Sequence, residues 1–333
     1  MKFFNRPVVI YTILASTVMV LFLLSLGVGA VALSPHQVLQ AFFSDKTAQA
    51  TIIVREIRLP RALLGILVGA SLGLAGAALQ GLLKNPLAEP GILGVTGGAV
   101  LGAVLVFYFG WAAAFSMALP LGGMVGAFLA VLVLVLMAGR SASVQTFVLA
   151  GVAVNTFAFA ATSLALNLAR SPYATLEIIF WQLGSIADRS MDHVFLILPM
   201  VITGWALLVV NGQALNALSL GEETAQSLGI SLNGVRLRIL WGTALCVGAA
   251  TAVSGSIGFV GLVIPHLLRP WVGHEPGRLL GPSALGGAAM LLAADVAVRL
   301  VPGGTELKLG VLTAMVGAPF FLGLILALRR RVP

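Results

Sequence analysis

Few side chains in this sequence could do covalent chemistry, and the best placed are Ser254, Ser256 and His266. A serine within reach of a histidine base is the arrangement of a nucleophilic hydrolase. Glycine and proline in the same segment leave the serine-to-histidine distances unconstrained. The one cysteine, Cys246, and the four histidines are dispersed and form no metal-ligand spacing. The sequence therefore gives little support to an enzyme.

Asp295 is the one carboxylate inside a predicted apolar span, which is where a proton- or ion-coupled carrier would bind its ion. Arg299 stands four residues later on the same helix face and should neutralise it. The chain contains no G-x-x-x-x-G-K-[ST] phosphate loop. Transport would then be powered by ATP hydrolysed on a second polypeptide, with a stand-alone secondary carrier as the alternative class.

The composition indicates that these residues lie on helices that span a membrane. Of the 333 residues 59% are hydrophobic and 9% are charged, and the mean hydropathy is +1.06, whereas a soluble domain carries about 25% charge. An apolar run of about 20 residues spans the bilayer core as a helix. The sequence predicts an all-α polytopic membrane protein with a single transmembrane domain over residues 1–333. Its ten spans are 8–33, 61–83, 92–110, 117–138, 146–168, 193–211, 235–256, 257–272, 279–300 and 308–328, of which the eighth is short and holds a proline.

The basic residues orient these spans. Lys2 and Arg6 lie near one end of the chain and Arg329, Arg330 and Arg331 near the other, so the positive-inside rule places both termini in the cytoplasm. Eleven of the 19 Lys and Arg residues then lie inside and eight outside. They are scattered at the ends of the spans and do not indicate binding to nucleic acid. The prediction is a multi-pass protein of the plasma membrane, which is the inner membrane in a Gram-negative cell.

A polar stretch from Ala217 to Ile230 lies between two spans, on the cytoplasmic side of this topology. Ser219 and Glu222 have the spacing of a capping box, and Gly229 stands where a helix C-cap glycine would. A helix of about two turns is marginal alone, so it must pack on something. A contact with a cytoplasmic partner and a capped helix within a long loop are both open interpretations.

Three arginines, Arg58, Arg61 and Arg299, lie at the outer ends of predicted spans. They could form a basic rim that docks an acidic partner. The alternative is interfacial snorkelling, with Arg299 paired to Asp295 along one helix face.

The link from Lys84 to Gly94, KNPLAEPGILG, joins the second and third spans. Its two prolines and two glycines stop both helices, so the link is tight and non-helical. Asn85 and Leu87 could form a cytoplasmic constriction in which leucine excludes water and asparagine satisfies freed backbone groups. A plain turn is the alternative.

Two patterns predict how the spans pack. Gly65, Gly69, Gly73, Ala77 and Gly81 recur every four residues and form a small-residue face that another helix can approach closely. A weak repeat at an offset of 179 residues (247 − 68) indicates an inverted repeat of the kind found in transporters. It pairs Val68-Gly69-Ala70, Gly76 and Pro86 with Val247-Gly248-Ala249, Gly255 and Pro265.

Three segments connect the chain to a family. They are RLPRALLGILVGASLGLAGAALQGLLKNPLAEPGILGVTGG from Arg58, NALSLGEETAQSLGI from Asn216 and GSIGFVGLVIPHLLRP from Gly255. In them, and over about residues 8–328, the chain resembles the permease subunits of the ABC importers for cobalamin, ferric siderophores and haem. The resemblance implies the type II importer permease fold, with ten helices, and a homodimer around one central pathway. It also implies two cytoplasmic ATPase subunits that bind ATP and Mg, one external binding protein, and no cofactor bound by this chain.

The resemblance also implies roles for individual residues. Coupling to the ATPase is implied for Leu220, Gly221, Glu222, Glu223, Ala225 and Gly229. Pairing with glutamates of the binding protein is implied for Arg58, Arg61 and Arg299. The cytoplasmic gate is implied at Asn85 and Leu87, with Val144 and Gln145 at the second gate segment, where relatives can carry a hydroxyl.

The substrate is the least constrained part of this prediction. Arg170, at the outer end of the fifth span, could meet a carboxylate of the substrate or could anchor its helix at the interface. Asn155, in the same span, is the second candidate pathway residue. Because iron systems are the more numerous in the family, we expect an iron chelate, a ferric siderophore or haem, with cobalamin as the alternative.

Overall fold

The computed structural model describes residues 7–43, 49–113, 115, 117–139, 144–169, 172–301 and 307–329. Within these residues the chain forms fifteen α-helices joined by short connections. In chain order they are α1 (Pro7–Gly27), α2 (Pro35–Ala41), α3 (Gln49–Ile52), α4 (Leu59–Leu82), α5 (Val95–Tyr108), α6 (Ala118–Ala138), α7 (Val144–Asn167), α8 (Pro172–Gln182), α9 (Met191–Val209), α10 (Gly212–Ser219), α11 (Glu222–Ser227), α12 (Leu232–Ser254), α13 (Val260–Leu268), α14 (Pro276–Leu300) and α15 (Leu309–Arg329).

Ten apolar helices correspond to the ten predicted spans. Seven are long enough to cross a membrane: Pro7–Gly27, Gln49–Leu82, Ala118–Ala138, Gln145–Asn167, Met191–Val209, Leu232–Ser254 and Pro276–Leu300. Three shorter apolar helices, Val95–Tyr108, Val260–Val272 and Leu309–Gly323, take the third, eighth and tenth places. The all-α polytopic fold is confirmed for the part of the chain that the structure describes.

The first two spans differ from the prediction at their outer ends. The first ends at Gly27 instead of residue 33, because Ser34 starts a new helix. The Ser34 Oγ accepts a hydrogen bond from the Gln37 N–H at 3.3 Å, and the Gln37 side chain accepts one from the Ser34 N–H at 2.8 Å, which is a capping box. The second span is preceded by helix from residue 49 onward, and the segment Ile53–Arg58 is π-helical.

The eighth span is short, and the chain reverses just before it, whereas its proline, Pro265, lies inside α13 without breaking the helix. α12 ends at Gly255, whose φ is +69°, and α13 begins after Phe259, whose φ is +68°. A positive φ is uncommon outside glycine and marks a tight reversal of the chain. α13 has nine residues and continues as a 3₁₀ turn over Arg269–Val272.

The small-residue face of α4 packs on α14 with backbone contact. A Cβ atom placed on Gly69 would lie 2.4 Å from the carbonyl oxygen of Gly287, and one on Gly73 would lie 2.1 Å from that of Ser283. Real Cβ atoms do not approach a carbonyl so closely. The predicted role of the glycine stripe in close helix packing is therefore confirmed.

We expect Gly73→Leu to lower the apparent melting temperature of the detergent-solubilised protein, because overpacking of a tight contact usually costs about 1–3 kcal/mol. The measurement is thermal unfolding followed by size-exclusion chromatography. Gly323→Leu is the matched control, since Gly323 lies in α15 with no atom within 4 Å of an added Cβ. Equal melting of the two variants would contradict the packing role of Gly73.

Helix packing repeats between two halves of the chain. α4 packs on α14 and α12 packs on α6, while α5 packs on α6 and α7, and α13 packs on α14 and α15. Exchanging α4–α7 with α12–α15 therefore converts one set of contacts into the other. α4 is the second apolar span and α12 the seventh, so successive crossings run them in opposite directions, as in an inverted repeat. The offset of 179 residues matches α4 to α12 but does not align the ends of the two helices. Gly76 lies inside α4, whereas its counterpart Gly255 follows the end of α12.

Candidate coupling, gate and pathway sites

The predicted coupling stretch forms two short helices instead of one. α10 ends at Ser219 and α11 begins at Glu222, and Gly221 between them has a φ of +126° that glycine adopts at little steric cost. The predicted capping box is wrong. The Ser219 Oγ donates to the carbonyl of Asn216 at 2.6 Å, so it does not cap α11.

Gly229 ends α11 as predicted. Its φ is +81°, and its N–H donates to the Gln226 carbonyl at 2.9 Å. The Ile230 N–H donates to the Ala225 carbonyl at 3.1 Å. These two bonds make a Schellman motif, which satisfies carbonyls at the helix end.

One apolar anchor and one ion pair hold α11 on the protein. Ala225 is fully buried. The Glu222 Oε1 accepts a hydrogen bond from the Arg236 Nη2 at 2.8 Å, and Arg236 belongs to α12. A helix of six residues has little stability of its own, so its position depends on these contacts. The ion pair connects α11 to a membrane-spanning helix.

Two leucines that flank α11 are exposed. Leu220 and Leu228 are 70% and 63% exposed, and Glu223 between them is also exposed. Two exposed leucines beside a carboxylate give a short surface with both apolar and charged contacts.

The link after α4 is shaped by one of its predicted gate residues. The Asn85 Oδ1 accepts a hydrogen bond from the Leu87 N–H at 2.9 Å, which is an Asx turn. Asn85 is exposed and Leu87 is half-buried. Asparagine therefore satisfies backbone freed by the prolines, as predicted, while its gate role remains a prediction.

The second gate segment is only partly within the described residues. Gln145 is exposed near the start of α7, and the side chain of Val144 lies outside the described residues. α7 packs on the 3₁₀ turn Pro90–Leu93, where a Cβ atom on Gly151 would lie 2.4 Å from the Ile92 carbonyl oxygen. α7 thus contacts the first gate link at Gly151, which lies six residues after Gln145.

Gln80 connects the link to α13. The sequence did not predict this contact. Gln80 is 2% exposed, and its Nε2 donates to the carbonyls of Gly261 and Leu262 at 3.3 and 3.4 Å and to that of Ala88 at 3.5 Å. Its Oε1 accepts a hydrogen bond from the Arg269 Nη2 at 2.5 Å. The link and α13 are therefore tied through one buried amide.

A cavity of about 530 Å³ with a partly polar lining opens beside this junction. Asn155, the predicted pathway residue, lines it together with Glu89 from the link, Gln182 from α8 and Ser256 from the loop after α12. The Glu89 Oε1 accepts a hydrogen bond from the Phe259 N–H at 2.9 Å, next to the N-terminus of α13. Burial raises the pKa of the Glu89 carboxyl above its ordinary value, and the hydrogen bond from Phe259 opposes that shift.

Two of the three outer arginines pair with one buried carboxylate. Asp295 is 0% exposed. Its Oδ1 accepts from the Arg61 Nε at 2.7 Å and its Oδ2 from the Arg299 Nη2 at 2.5 Å, which confirms the predicted Asp295–Arg299 pair. The Arg61 and Arg299 side chains are only 11% and 8% exposed. They therefore do not form an open basic rim.

Arg58 and Arg299 also close the end of α1. Arg58 is 4% exposed and donates to the carbonyls of Leu26 and Gly27 at 2.8 and 2.7 Å. The Arg299 Nη1 donates to the carbonyl of Ser25 at 2.9 Å. The last carbonyls of a helix have no partner within it, and its C-terminus favours positive charge. Arg58 and Arg299 supply both the hydrogen-bond donors and the positive charge at the end of α1.

Two further sequence predictions concern Arg170 and the serine–histidine pair. Arg170 lies outside the described residues. The Ser254 Oγ donates to the carbonyl of Ala250 at 2.8 Å, and the His266 ring packs edge-on against Phe320. Ser254 is thus occupied as a helix hydroxyl and not oriented as a nucleophile.

Comparison with known proteins agrees with this arrangement. Residues 17–327 match the FecCD transport family. The ABC transporter permease protein YvrB of Bacillus subtilis (strain 168) is 42% identical over 86% of this chain and 82% of its own length. The vitamin B12 import system permease protein of Vibrio cholerae serotype O1 is 40% identical over 92% of this chain and 89% of its own. Permeases named for iron(3+)-hydroxamate, haemin and iron(3+)-citrate import also match.

A solved structure has the same fold. It is an inward-facing conformation of a metal-chelate type ABC transporter, 31% identical in sequence, with a TM-score of 0.84 over 96% of this chain and 99% of that one. A stand-alone secondary carrier is therefore not favoured. This chain belongs to the FecCD transport family, whose members are membrane permease subunits of ABC importers that leave ATP hydrolysis to a separate ATPase.

Proposed function

We propose that this chain carries an iron chelate, a ferric siderophore or haem, across the plasma membrane as the permease of an ATP-driven importer. The observation that carries the proposal is α11. Leu220 and Leu228, which flank it, are exposed, while Glu222 within it is tied to Arg236 of α12. A surface fit for an ATPase is thus connected to a membrane-spanning helix.

Two copies of the chain enclose one central pathway in this proposal. Phe157 and Phe159 of α7 are 71% and 72% exposed and point to different sides of the helix, so α7 offers apolar surface both to a second copy and to lipid. Two ATPase subunits bind ATP and Mg²⁺ in the cytoplasm, where both termini of the chain lie, and one binding protein delivers substrate outside. The chain itself binds no cofactor.

A continuous series of contacts leads from the ATPase side to the gate. ATP-driven closure of the partner subunits moves α11, and the Glu222–Arg236 pair passes the movement to α12. The loop after α12 is bonded through the Phe259 N–H to Glu89 in the link. That link carries Asn85 and Leu87, so the same movement shifts the proposed gate, with Val144 and Gln145 across the pathway.

The binding protein docks, in this proposal, near the arginine cluster at the outer end of α14. Arg58, Arg61 and Arg299 with Asp295 carry three positive charges and one negative, a net +2. Buried charges are screened less than exposed ones. The cluster can therefore attract acidic side chains by its field without presenting a free guanidinium.

Cobalamin is the second candidate substrate. The relative from Vibrio cholerae named for vitamin B12 import is 40% identical and covers 92% of this chain. That similarity extends over the helices that form the cavity and the coupling stretch.

Reconstitution of the chain with its ATPase and binding protein in proteoliposomes tests the proposed function. We expect uptake of a ferric siderophore, haem or cobalamin at least tenfold above background with ATP and at background with a non-hydrolysable analogue. Uptake that needs an ion gradient and no ATPase would contradict the proposal and support the alternative, a stand-alone secondary carrier.

A further inference from the structure

Phe259 has a backbone conformation that an aromatic residue rarely adopts. Its φ is +68° and its ψ is −20°, and it stands directly before the first residue of α13. A bulky residue at positive φ is an outlier that persists only where its surroundings hold it, and such residues cluster at switches and functional sites. The contacts that hold Phe259 therefore indicate what this part of the fold keeps in place.

Two distant segments hold Phe259, one by its backbone and one by its side chain. The Phe259 N–H donates to the Glu89 Oε1 at 2.9 Å, across 170 positions of sequence. The Phe259 side chain lies against Gly317 of α15, where an added Cβ atom would lie 2.7 Å from the Phe259 Cδ1 and closer still to its Cβ and Cγ. Because the Cβ and Cγ adjoin the backbone, any side chain at position 317 would displace Phe259 itself. Phe259 thus joins the first gate link (Lys84 to Gly94), the start of α13 and α15.

The Glu89 carboxylate caps α13 from outside that helix. In a capping box the third residue of the helix reaches back to the N–H of the cap residue. The third residue of α13 is Leu262, which has no side-chain acceptor, and Glu89 supplies the acceptor from the link instead. The positive end of the helix dipole also favours a carboxylate at this place. Within the described residues Glu89 makes no side-chain hydrogen bond to its own 3₁₀ turn, Pro90–Leu93. Its bond to Phe259 therefore fixes how the link lies on α13.

Glu89 also lines the 530 Å³ cavity, so a contact between its charge and the substrate is the competing interpretation. We propose that Glu89 is a positioning residue of transport, which attaches the first gate link to α13 and, through Phe259, to α15. Transport depends on this attachment and not on a contact of the carboxylate with the substrate. The inference rests on the proposed function, because the link that Glu89 holds carries the proposed gate.

Hydrogen–deuterium exchange of the full chain in lipid nanodiscs measures the attachment without substrate, ATPase or binding protein. Glu89→Ala removes the acceptor, and we expect the Phe259 amide, followed in overlapping peptides, to exchange at least tenfold faster. Glu89→Gln keeps an acceptor oxygen and should leave that exchange within threefold of the parent. Glu275→Ala, which removes an exposed carboxylate, is the control. Unchanged exchange in Glu89→Ala would overturn the proposal.

ATP-driven uptake in proteoliposomes distinguishes positioning from substrate contact. We expect Glu89→Ala to reduce uptake at least tenfold, since loss of a hydrogen bond to a charged group changes an equilibrium by about that factor or more. Glu89→Gln should reduce uptake at most threefold, because the neutral amide can still accept from Phe259. A contact that needs the negative charge would make the two variants equally harmful. Equal losses, or uptake by Glu89→Ala as high as that of Glu275→Ala, would overturn the proposal.

Gly317→Ala tests the same attachment from α15. It should displace Phe259, speed exchange of the Phe259 amide and reduce uptake. Gly323→Ala should do neither, since no described atom lies within 4 Å of a Cβ added there. Because Glu89 and Gly317 hold one residue, Glu89→Ala combined with Gly317→Ala should reduce uptake by less than the product of the two single effects. Effects that multiply fully would show two independent sites and overturn the proposal.

The two measurements separate this proposal from the proposed function. A parent chain without ATP-driven uptake of a ferric siderophore, haem or cobalamin would contradict the proposed function and, with it, the transport role of Glu89. Exchange at Phe259 would still decide whether Glu89 attaches the link to α13.

Discussion

Asp295→Ala is expected to lower the free energy of unfolding by about 3–5 kcal/mol, the usual effect of removing one partner from a buried ion pair. Asp295 is fully buried and accepts hydrogen bonds from both Arg61 and Arg299. Without it, two guanidinium groups remain in a poorly solvated site with no carboxylate at the positions that Asp295 occupied. The measurement is the apparent melting temperature of the detergent-solubilised protein, together with its yield in the membrane.

An exposed ion pair on the same helix provides the control. Glu275 and Arg278 pair at 2.8 Å, with side chains 41% and 64% exposed. Exposed pairs contribute about 0–1 kcal/mol, so Glu275→Ala should change the melting temperature little. If Asp295→Ala is no more harmful than Glu275→Ala, the arginine cluster does not stabilise the fold and its arginines are available for other contacts.

The burial of this cluster changes how the docking hypothesis should be tested. Replacement of Arg58 or Arg61 with glutamate would disrupt hydrogen bonds inside the protein, so weaker docking could follow from misfolding alone. Asp295→Asn keeps the side-chain shape and raises the net charge of the cluster by one, so its docking is compared with that of the parent chain only in preparations whose melting temperature shows a folded protein. If the cluster attracts the binding protein through its field, docking of this variant should tighten, and more so at low salt.

Most of the fold could be predicted because hydropathy determines which segments cross the membrane. The exceptions are elements with little hydropathy signal. α8 has eleven residues and includes Glu177, so it was too short and too polar to be recognised as a span. The end of α1 at Gly27 depends on the capping box at Ser34 and not on apolarity, since the sequence stays apolar to Leu33.

Sequence spacing predicted contacts within one helix and failed for contacts between distant helices. The Asp295–Arg299 pair follows from four-residue spacing, whereas Arg61 reaches the same carboxylate across 234 positions of sequence. Gln182 lies in α8 and carries no motif, so only the fold brings it to the cavity that Glu89 also lines. The capping box failed because the hydroxyl of Ser219 had a nearer acceptor within α10.

Glu222→Lys should reduce ATP-driven uptake about tenfold or more while leaving the protein in the membrane. The substitution replaces an ion pair to Arg236 with a repulsion, at a position that is 43% exposed and therefore partly screened. A net change of about 1.4 kcal/mol corresponds to a factor of ten in an equilibrium. α11 has only six residues and is joined to α12 through the Glu222–Arg236 ion pair, so it should leave its place. The readout is uptake together with ATP hydrolysis in proteoliposomes.

A double charge reversal then distinguishes two roles for Glu222. Glu222→Lys with Arg236→Glu restores an ion pair of opposite polarity between α11 and α12. Recovered uptake would show that Glu222 acts by holding α11 on α12, with Leu220, Glu223 and Leu228 left to contact the ATPase. Uptake that stays low, with the chain still in the membrane, would mean that Glu222 itself meets the ATPase. Normal uptake by the single variant would refute the coupling assignment altogether, because a charge reversal at its anchor would then have no effect on transport.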